Sequence, residues 1–221
     1  MKLSLSKHPL ILWNLCYCKF WDTFIYYGIQ SILVLYLLKV YHFSTEKCYL
    51  LFGVYTLLNV ATSIIGGIIA DRLIGQYHAI FWGQILAILG NLILIIPHYH
   101  FFSLGLVVTI LASSLIRSSV ITEAGALYPD HTAEKEKAMV WLYWITNIGG
   151  TSGALIYSLL AYIWSWNFIF LSSAIGMLTS LFFITYQKKS FLKNIATQPS
   201  SNYNLILFFA IFFLCTLLSI L

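Results

Sequence analysis

Seven apolar runs of helical length follow one another along the chain, and they constrain its fold more than any other feature. The runs cover residues 10–38, 48–69, 79–97, 101–128, 138–162, 166–187 and 203–221. At about 1.5 Å rise per residue, about 20 such residues cross the hydrocarbon core of a bilayer. The chain is 60% hydrophobic and only 9% charged, whereas about 25% of residues are charged in soluble domains. The sequence therefore predicts an all-α integral membrane protein with seven spanning helices.

The basic residues lie mostly between the apolar runs and favour one side of the membrane. With a cytoplasmic N-terminus, the outer loops hold only Lys39 and Lys47. The inner segments then hold eight basic residues: Lys2, Lys7, Arg72, Lys135, Lys137, Lys188, Lys189 and Lys193. The positive-inside rule predicts this orientation. Because the basic residues form no patch, the formal charge of +5 indicates a lipid bilayer as partner and no nucleic acid.

The longest polar connection covers residues 188–202 and contains three lysines and Pro199. It predicts a cytoplasmic linker between a six-helix unit, residues 1–187, and a seventh transmembrane helix, residues 203–221. Six helices followed by a linker are the layout of one half of a twelve-helix transporter. Each half of such a transporter contains two three-helix inverted repeats.

The first apolar run carries a stripe of polar residues. At about 100° per residue, with Lys19 at zero, Asp22 falls near 300°, Thr23 near 40°, Tyr26 near 340° and Gln30 near 20°. The five residues therefore share one helix face. Either Lys19 and Asp22 neutralise each other within the helix, or the stripe lines a polar cavity. We favour the cavity.

Four helices carry a polar group at a similar depth. Counting about 1.5 Å per residue from the cytoplasmic end places Asp22, Asn59, Arg117 and Asn147 roughly 14 to 18 Å into the membrane. A charge at that depth costs about 2.5 to 3.5 kcal/mol, and most such charges face a cavity, a partner or a translocation path. The sequence predicts a central binding site in which the Asp22 carboxylate is the acceptor for the Arg117 guanidinium. Taken singly, the two asparagines could instead bond neighbouring helices.

A charged turn follows the second apolar run, in the segment Gly66-Gly-Ile-Ile-Ala-Asp-Arg-Leu-Ile-Gly75. Its charged residues are Asp71 and Arg72. Glu123, near the cytoplasmic end of the fourth run, points about 120° away from Arg117. Two interpretations of Glu123 stay open: a contact with Arg72, or extension of its side chain to the membrane interface.

Patterns for enzymatic or metal chemistry are missing from the sequence. Cys16 and Cys18 point about 200° apart on a helix and cannot grip one metal together. The chain contains no Ser-His-Asp set, His-Glu-x-x-His motif, phosphate loop or dinucleotide-binding glycine motif. We therefore expect no cofactor, no metal and no enzymatic activity.

Four patterns, in this order, resemble the proton-dependent oligopeptide transporters, a branch of the major facilitator superfamily. Trp21-Asp-Thr-Phe-Ile-Tyr-Tyr-Gly28 is similar to the family's Glu-x-x-Glu-Arg-Phe-x-Tyr-Tyr-Gly on helix one, and the segment Gly66–Gly75 to the superfamily's loop motif. Arg117 precedes Gly125-Ala-Leu-Tyr128, where the family has a lysine before Gly-x-x-Tyr. Tyr143-Trp-Ile-Thr-Asn-Ile-Gly149 is similar to Phe-Tyr-x-x-x-Asn-x-Gly on helix five.

This resemblance implies an N-terminal six-helix transporter half that moves di- and tripeptides with protons. It implies roles in substrate binding or proton coupling for Lys19, Asp22, Tyr26, Tyr27, Tyr55, Asn59, Arg117 and Asn147. It implies a gating loop formed by Asp71, Arg72 and Glu123. The expected location is a bacterial inner membrane.

The departures from the family pattern concern charge. Lys19 and Asp22 stand where the family has two glutamates, Thr23 where it has an arginine, and Arg117 where it has a lysine. One carboxylate then faces two cations, which favour its ionised form. The sequence therefore predicts weakened proton coupling by the family's route.

Three hypotheses of function stay open at this point. The first is a peptide transporter that works with a separately encoded second half or as a homodimer. The second is a truncated remnant that does not transport. The third is a membrane scaffold or regulatory subunit that binds another protein.

Overall fold

The structure, a computed structural model, describes residues 9–128, 132–163 and 165–188. This part of the chain folds into six α-helices and one π-helical turn. The helices are α1 (Leu10–Val40), α2 (Thr45–Ile69), α3 (Gln76–Leu94), α4 (Tyr99–Ala126), α5 (Thr132–Ile163) and α6 (Trp166–Tyr186), and the π-helical turn, Ala70–Ile74, continues α2. The predicted seventh helix, and the predicted linker apart from Lys188, lie outside the described residues.

Five of the six helices are long and apolar enough to cross a membrane: α1, α2 with its π-helical turn, α3, α4 and α6. The exception is α5, which is the longest at 32 residues but on average the least apolar. The predicted span at residues 138–162 is therefore supported by the length of α5 and not by its composition. The described bundle is that of an integral membrane protein.

The helix ends differ from the predicted apolar runs for local reasons. Ser44 caps α2 by accepting a hydrogen bond from the backbone N–H of Lys47, so α2 begins before the predicted residue 48. Residues 134–137 alternate glutamate and lysine, which are good helix formers, so α5 begins at Thr132. Apolarity alone locates the membrane part of a helix and misses such polar extensions.

The packing order places α1 in the middle of the bundle, where it contacts α2, α4, α5 and α6. The other main contacts join α3 to α4, α2 to α4 and α3 to α6. In an arrangement of two three-helix repeats, α1, α2 and α3 correspond to α4, α5 and α6. The pair α1–α5 then corresponds to the pair α4–α2, and the pair α3–α4 corresponds to the pair α6–α1. All four pairs are in contact, as expected for a bundle of two three-helix repeats.

Glycines allow the closest helix crossings. A Cβ at Gly66 of α2 would collide with the backbone carbonyl of Ser114 on α4. On α5, a Cβ at Gly149 or Gly153 would collide with the backbone of α1 at Phe20 or Phe24. In a membrane, where helix association depends on close packing, small residues at the crossing let backbones approach.

A polar contact also joins three helices in the bundle interior. The amide nitrogen of Gln84 on α3 donates to Ser180 Oγ on α6 at 2.7 Å and to Cys18 Sγ on α1 at 3.0 Å. All three side chains are buried. The contact explains a polar residue in the middle of α3 without a role in function.

The crossing of α2 and α4 can be tested with two adjacent glycines. We expect Gly66→Ala to lower the free energy of unfolding by about 1 to 3 kcal/mol, because its Cβ meets backbone that cannot yield. Gly67→Ala is the matched control: its Cβ would lie 3.5 Å from Ser118 Cβ, an ordinary contact. The control should gain about 0.5 to 1 kcal/mol from reduced backbone freedom. Thermal unfolding in detergent measures both, and equal effects of the two variants would contradict the crossing.

Candidate functional site

Asp22 on α1 is the centre of a buried ionic cluster. Its Oδ2 atom lies 3.4 Å from Lys19 Nζ and 3.8 Å from Arg117 Nε on α4. Its Oδ1 atom accepts a hydrogen bond from Ser113 Oγ of α4 at 2.7 Å. One carboxylate thus joins two helices and faces two cations, which leaves one positive charge in excess.

The cluster lies inside the bundle. Lys19, Asp22 and Thr23 are 4%, 1% and 3% exposed. Thr23 Oγ1 donates to the backbone carbonyls of Lys19 and Phe20. This part of the predicted stripe is therefore buried. Lys19 and Asp22 form the i,i+3 pair that the alternative interpretation described, and Arg117 of α4 adds a second cation to that pair.

Arg117 is the accessible charge of the cluster. Its side chain is 23% exposed, against 6% for Lys19 and 1% for Asp22. Its Cζ atom lies 4.9 Å from the ring centroid of Tyr26, within the range of a cation–π contact. Its Nη2 atom is buried and has no hydrogen-bond partner in the described part of the chain. The guanidinium therefore has one unpartnered donor inside the bundle.

Aromatic and amide groups continue the cluster toward α2. The rings of Tyr26 and Tyr55 stack with centroids 6.2 Å apart, and Tyr55 is buried. Asn59, one turn along α2, is also buried, and its Oδ1 atom has no hydrogen-bond partner among the described residues. The structure thus places Asp22, Arg117, Tyr26 and Tyr55 together, with Asn59 one helical turn from Tyr55.

An open recess of about 320 Å³ lies between α1 and α5, beside this cluster. It is lined by Tyr27, Thr146, Asn147, Gly150 and Thr151. The ring of Tyr27 is 43% exposed and contacts the ring of Tyr26 at a centroid distance of 4.8 Å. The two tyrosines connect the recess to Arg117.

Asn147, which was predicted at the same depth as Asp22, Asn59 and Arg117, lines this recess. It is exposed, and its amide donates to the backbone carbonyl of Tyr143 at 2.8 Å. The residue count along α5 estimated its depth, but the face that it occupies depends on how α5 packs against α1.

The charged turn and Glu123 do not pair as one interpretation predicted. Arg72 and Asp71 are exposed, and the Asp71 carboxylate accepts a hydrogen bond from the side chain of Gln76. Glu123 is 1% exposed, and neither of its carboxyl oxygens pairs with Arg72 or with another described residue. Gly75 ends the turn with a φ of 81°, a conformation that favours glycine.

Sequence reasoning missed Ser113, which orients the central carboxylate. Ser113 precedes Arg117 by four residues, so both lie on one face of α4, and this spacing was the available signal. It also missed Thr146, Gly150 and Thr151, which have no charge to mark them. Among the described residues, no group of three or more histidine, cysteine, aspartate or glutamate side chains could hold a metal ion.

A bundle of membrane helices with an ionic cluster in its interior is the type of site found in secondary transporters. The sequence profile of the Major Facilitator Superfamily matches residues 15–221. The chain belongs to the Major Facilitator Superfamily.

Relatives within the superfamily are transporters. The chain is 28% identical over 200 residues to the uncharacterized transporter YclF of Bacillus subtilis, covering 88% of this chain and 40% of that protein. It is 26% identical over 182 residues to the peptide transporter YePEPT of Yersinia enterocolitica, covering 79% and 36%. It is 24% identical over 203 residues to dipeptide and tripeptide permease B of Photorhabdus luminescens, covering 90% and 41%.

The fold is also similar to solved peptide transporters. A crystal structure of a POT family transporter in complex with 5-aminolevulinic acid aligns with a TM-score of 0.85 and 25% identity, covering 98% of this chain and 47% of that one. The resemblance to the oligopeptide transporters is confirmed by these similarities. The chain spans less than half the length of these relatives and structures.

Removing the central carboxylate of Asp22 should destabilise the bundle more than removing the charge of Lys19. Asp22→Asn leaves two buried cations unpaired, and we expect a loss of about 3 to 5 kcal/mol in the free energy of unfolding. Lys19→Met leaves the pair of Asp22 with Arg117 and should lose much less. Thermal unfolding of both variants and the double variant measures this, with the double variant more stable than Asp22→Asn. A double variant as unstable as Asp22→Asn would contradict the charge balance.

Proposed function

We propose that this bundle is one half of a peptide transporter, with Arg117 binding the carboxylate of the transported di- or tripeptide. The observation that carries the proposal is the excess cation of the ionic cluster. Asp22 neutralises only one of two positive charges, and Arg117 is the more exposed of the two. The named peptide transporters among the relatives support the substrate class, and transport is favoured over an enzymatic reaction.

The chemistry of the guanidinium suits a carboxylate. Arginine presents several N–H donors in a planar fork that matches the two oxygens of a carboxylate. The Nε atom of Arg117 forms an ion pair with Asp22 at 3.8 Å, and the guanidinium packs on the ring of Tyr26. The unpartnered Nη2 atom supplies a donor for substrate. Burial strengthens such an interaction because the surroundings screen it less than water does.

The recess supplies room for the remainder of the peptide. Tyr27 offers an apolar ring surface and Asn147 an amide that can donate to and accept from a peptide backbone. Thr146 and Thr151 add hydroxyl groups at its edge. In this proposal Tyr26, Tyr55 and Asn59 shape the inner wall, while Asp71, Arg72 and Glu123 belong to the end that opens and closes.

Proton coupling through α1 is weak in this proposal. The Asp22 carboxylate is already engaged by two cations and a hydroxyl donor. A proton would have to displace them.

A second helical bundle completes the transporter in this proposal, since alternating access requires two halves that move around one site. A second half encoded elsewhere or a second copy of this chain would serve. The distribution of basic residues supports a cytoplasmic N-terminus, and the bacterial relatives support an inner-membrane location. No observation specifically favours the remnant or scaffold hypotheses.

Uptake of a labelled dipeptide by cells that express the chain tests the proposal. We expect Arg117→Gln to reduce uptake about tenfold or more, because a hydrogen bond to a charged group is worth about 1.5 to 3 kcal/mol. Asn147→Ala should raise the half-saturating concentration with a smaller loss of maximal rate. Lys39→Gln, at an exposed position on α1, is the control for loss of a positive charge.

The carboxylate itself can be tested by competition. A dipeptide with a free C-terminus should compete with the label, whereas its C-terminal amide should compete weakly. Arg117→Gln should remove most of this discrimination. Uptake that is unchanged in the Asp22, Arg117 and Asn147 variants would reject the proposed site.

A further inference from the structure

Glu123 is a second buried carboxyl, and it lies outside the ionic cluster. It occupies the C-terminal part of α4 and is 1% exposed. Both carboxyl oxygens are buried and have no hydrogen-bond partner among the described residues. Asp22 is equally buried but has three partners, so the two carboxyls are in opposite electrostatic situations.

The helix packing places Glu123 beside the first turn of α3 and the π-helical turn. Gly90 of α3 lies against Thr109, and Gly83 lies against Ile116, so α3 and α4 run antiparallel. Continuing that register brings Glu123 level with the start of α3. The π-helical turn that precedes α3 also contacts α4. Glu123 therefore lies where three helical segments meet at one end of the bundle.

No charged group of the described neighbouring elements forms an ion pair with Glu123. By their positions in the helices, the charged and titratable residues toward this end of the described bundle are Cys16 on α1, Asp71 and Arg72 in the π-helical turn, Tyr77 and His78 on α3, Tyr128 after α4, Glu134, Lys135, Glu136 and Lys137 on α5, and Lys188 after α6. Both ion pairs of the described part involve Asp22. Lys135 approaches Gly125, which points about 200° away from Glu123 around α4.

An ionised carboxylate in this position would be costly. Burying a charge without a partner costs several kcal/mol, whereas a neutral acid without its hydrogen bonds costs considerably less. The conformation described here therefore favours the neutral acid. Ionisation requires water or a donor to reach Glu123, and this requires the end of α4 to separate from α3 and the π-helical turn.

We propose that Glu123 is a proton-binding site, occupied by a proton in the conformation of this structure and vacated when this end of the bundle opens to water. The proton would then be bound at α4 and not at the α1 carboxylate that the family resemblance implicates. The inference rests on the burial of Glu123 and not on the proposed peptide substrate.

A hydrophobic carbodiimide can distinguish the two buried carboxyls, because it adds to a protonated carboxyl inside apolar surroundings. The full chain, reconstituted in vesicles, is treated with dicyclohexylcarbodiimide from about pH 6 to about pH 9, a range above the ordinary values for glutamate. Modified residues are located by mass spectrometry. We expect several-fold more modification at Glu123 than at Asp22, and a decline at Glu123 as the pH rises.

Three outcomes would overturn the proposal: no modification at Glu123, equal modification at Asp22, or modification at Glu123 that does not change over this range. A water-soluble carbodiimide is the control for exposure and should react with exposed Asp71 but not with Glu123. Dipeptide uptake is measured separately, so a failure of labelling and a failure of peptide transport can be told apart.

The variant Glu123→Gln supplies an independent measurement, since glutamine has the shape of the neutral acid and cannot ionise. We expect its thermal unfolding temperature to exceed that of the unmodified chain increasingly as the pH rises, because only the latter must retain a buried proton. The exposed-site variant Asp71→Asn should not show this growing difference. Parallel pH curves for Glu123→Gln and the unmodified chain would also overturn the proposal.

Discussion

The interaction on which the rest of the site depends is the sharing of one buried carboxylate by two cations. The Asp22 carboxylate forms ion pairs with Lys19 on its own helix and with Arg117 on α4, and it accepts a hydrogen bond from Ser113 on α4. Charged residues in membrane helices almost always face the bundle interior or a cavity and pair with one another. The ionic cluster therefore sets the rotation of α4 relative to α1, since turning either helix would leave a charge unpaired. It also leaves Arg117 with the unused donor that a substrate carboxylate could take.

Close packing of α5 against α1 places the recess next to the buried ionic cluster. The glycines of α5 bring its backbone against α1 next to Thr23 and Phe24. The adjacent residues Tyr26 and Tyr27 then point about 100° apart, so that one ring is buried against Arg117 and the other faces the recess. Packing between apolar helices thus positions the polar site.

Depth and helix face differ in how far sequence can predict them. The charges of α1 and Arg117 were recognised from the sequence, and their proximity was predicted because both spans could be counted from one membrane side. Asn147 was placed at a suitable depth, but its exposure depends on the α1–α5 crossing, which no single helix encodes. The long polar start of α5 was missed because an apolar run reports only the part of a helix that suits lipid. The sequence placed Glu123 in the C-terminal part of α4 but did not predict its burial. Its burial depends on how α3 and the π-helical turn pack against α4.

The two buried carboxyls show why a charged residue in a membrane helix does not identify its own chemistry. Asp22 has three polar partners, namely Lys19 on its own helix and Ser113 and Arg117 on α4. Glu123 has no such partner among the described residues, so within this part of the chain losing its proton would leave an unpaired charge between packed helices. If the chain couples movement to protons, the group that gains and loses a proton should be the one whose surroundings change when the bundle opens. The neighbours of Glu123 are at an end of the bundle, where helices can separate, whereas those of Asp22 are held together by the same ion pairs that bind it. This difference in mechanical setting favours α4 over α1 as the place where protonation and conformation could be linked.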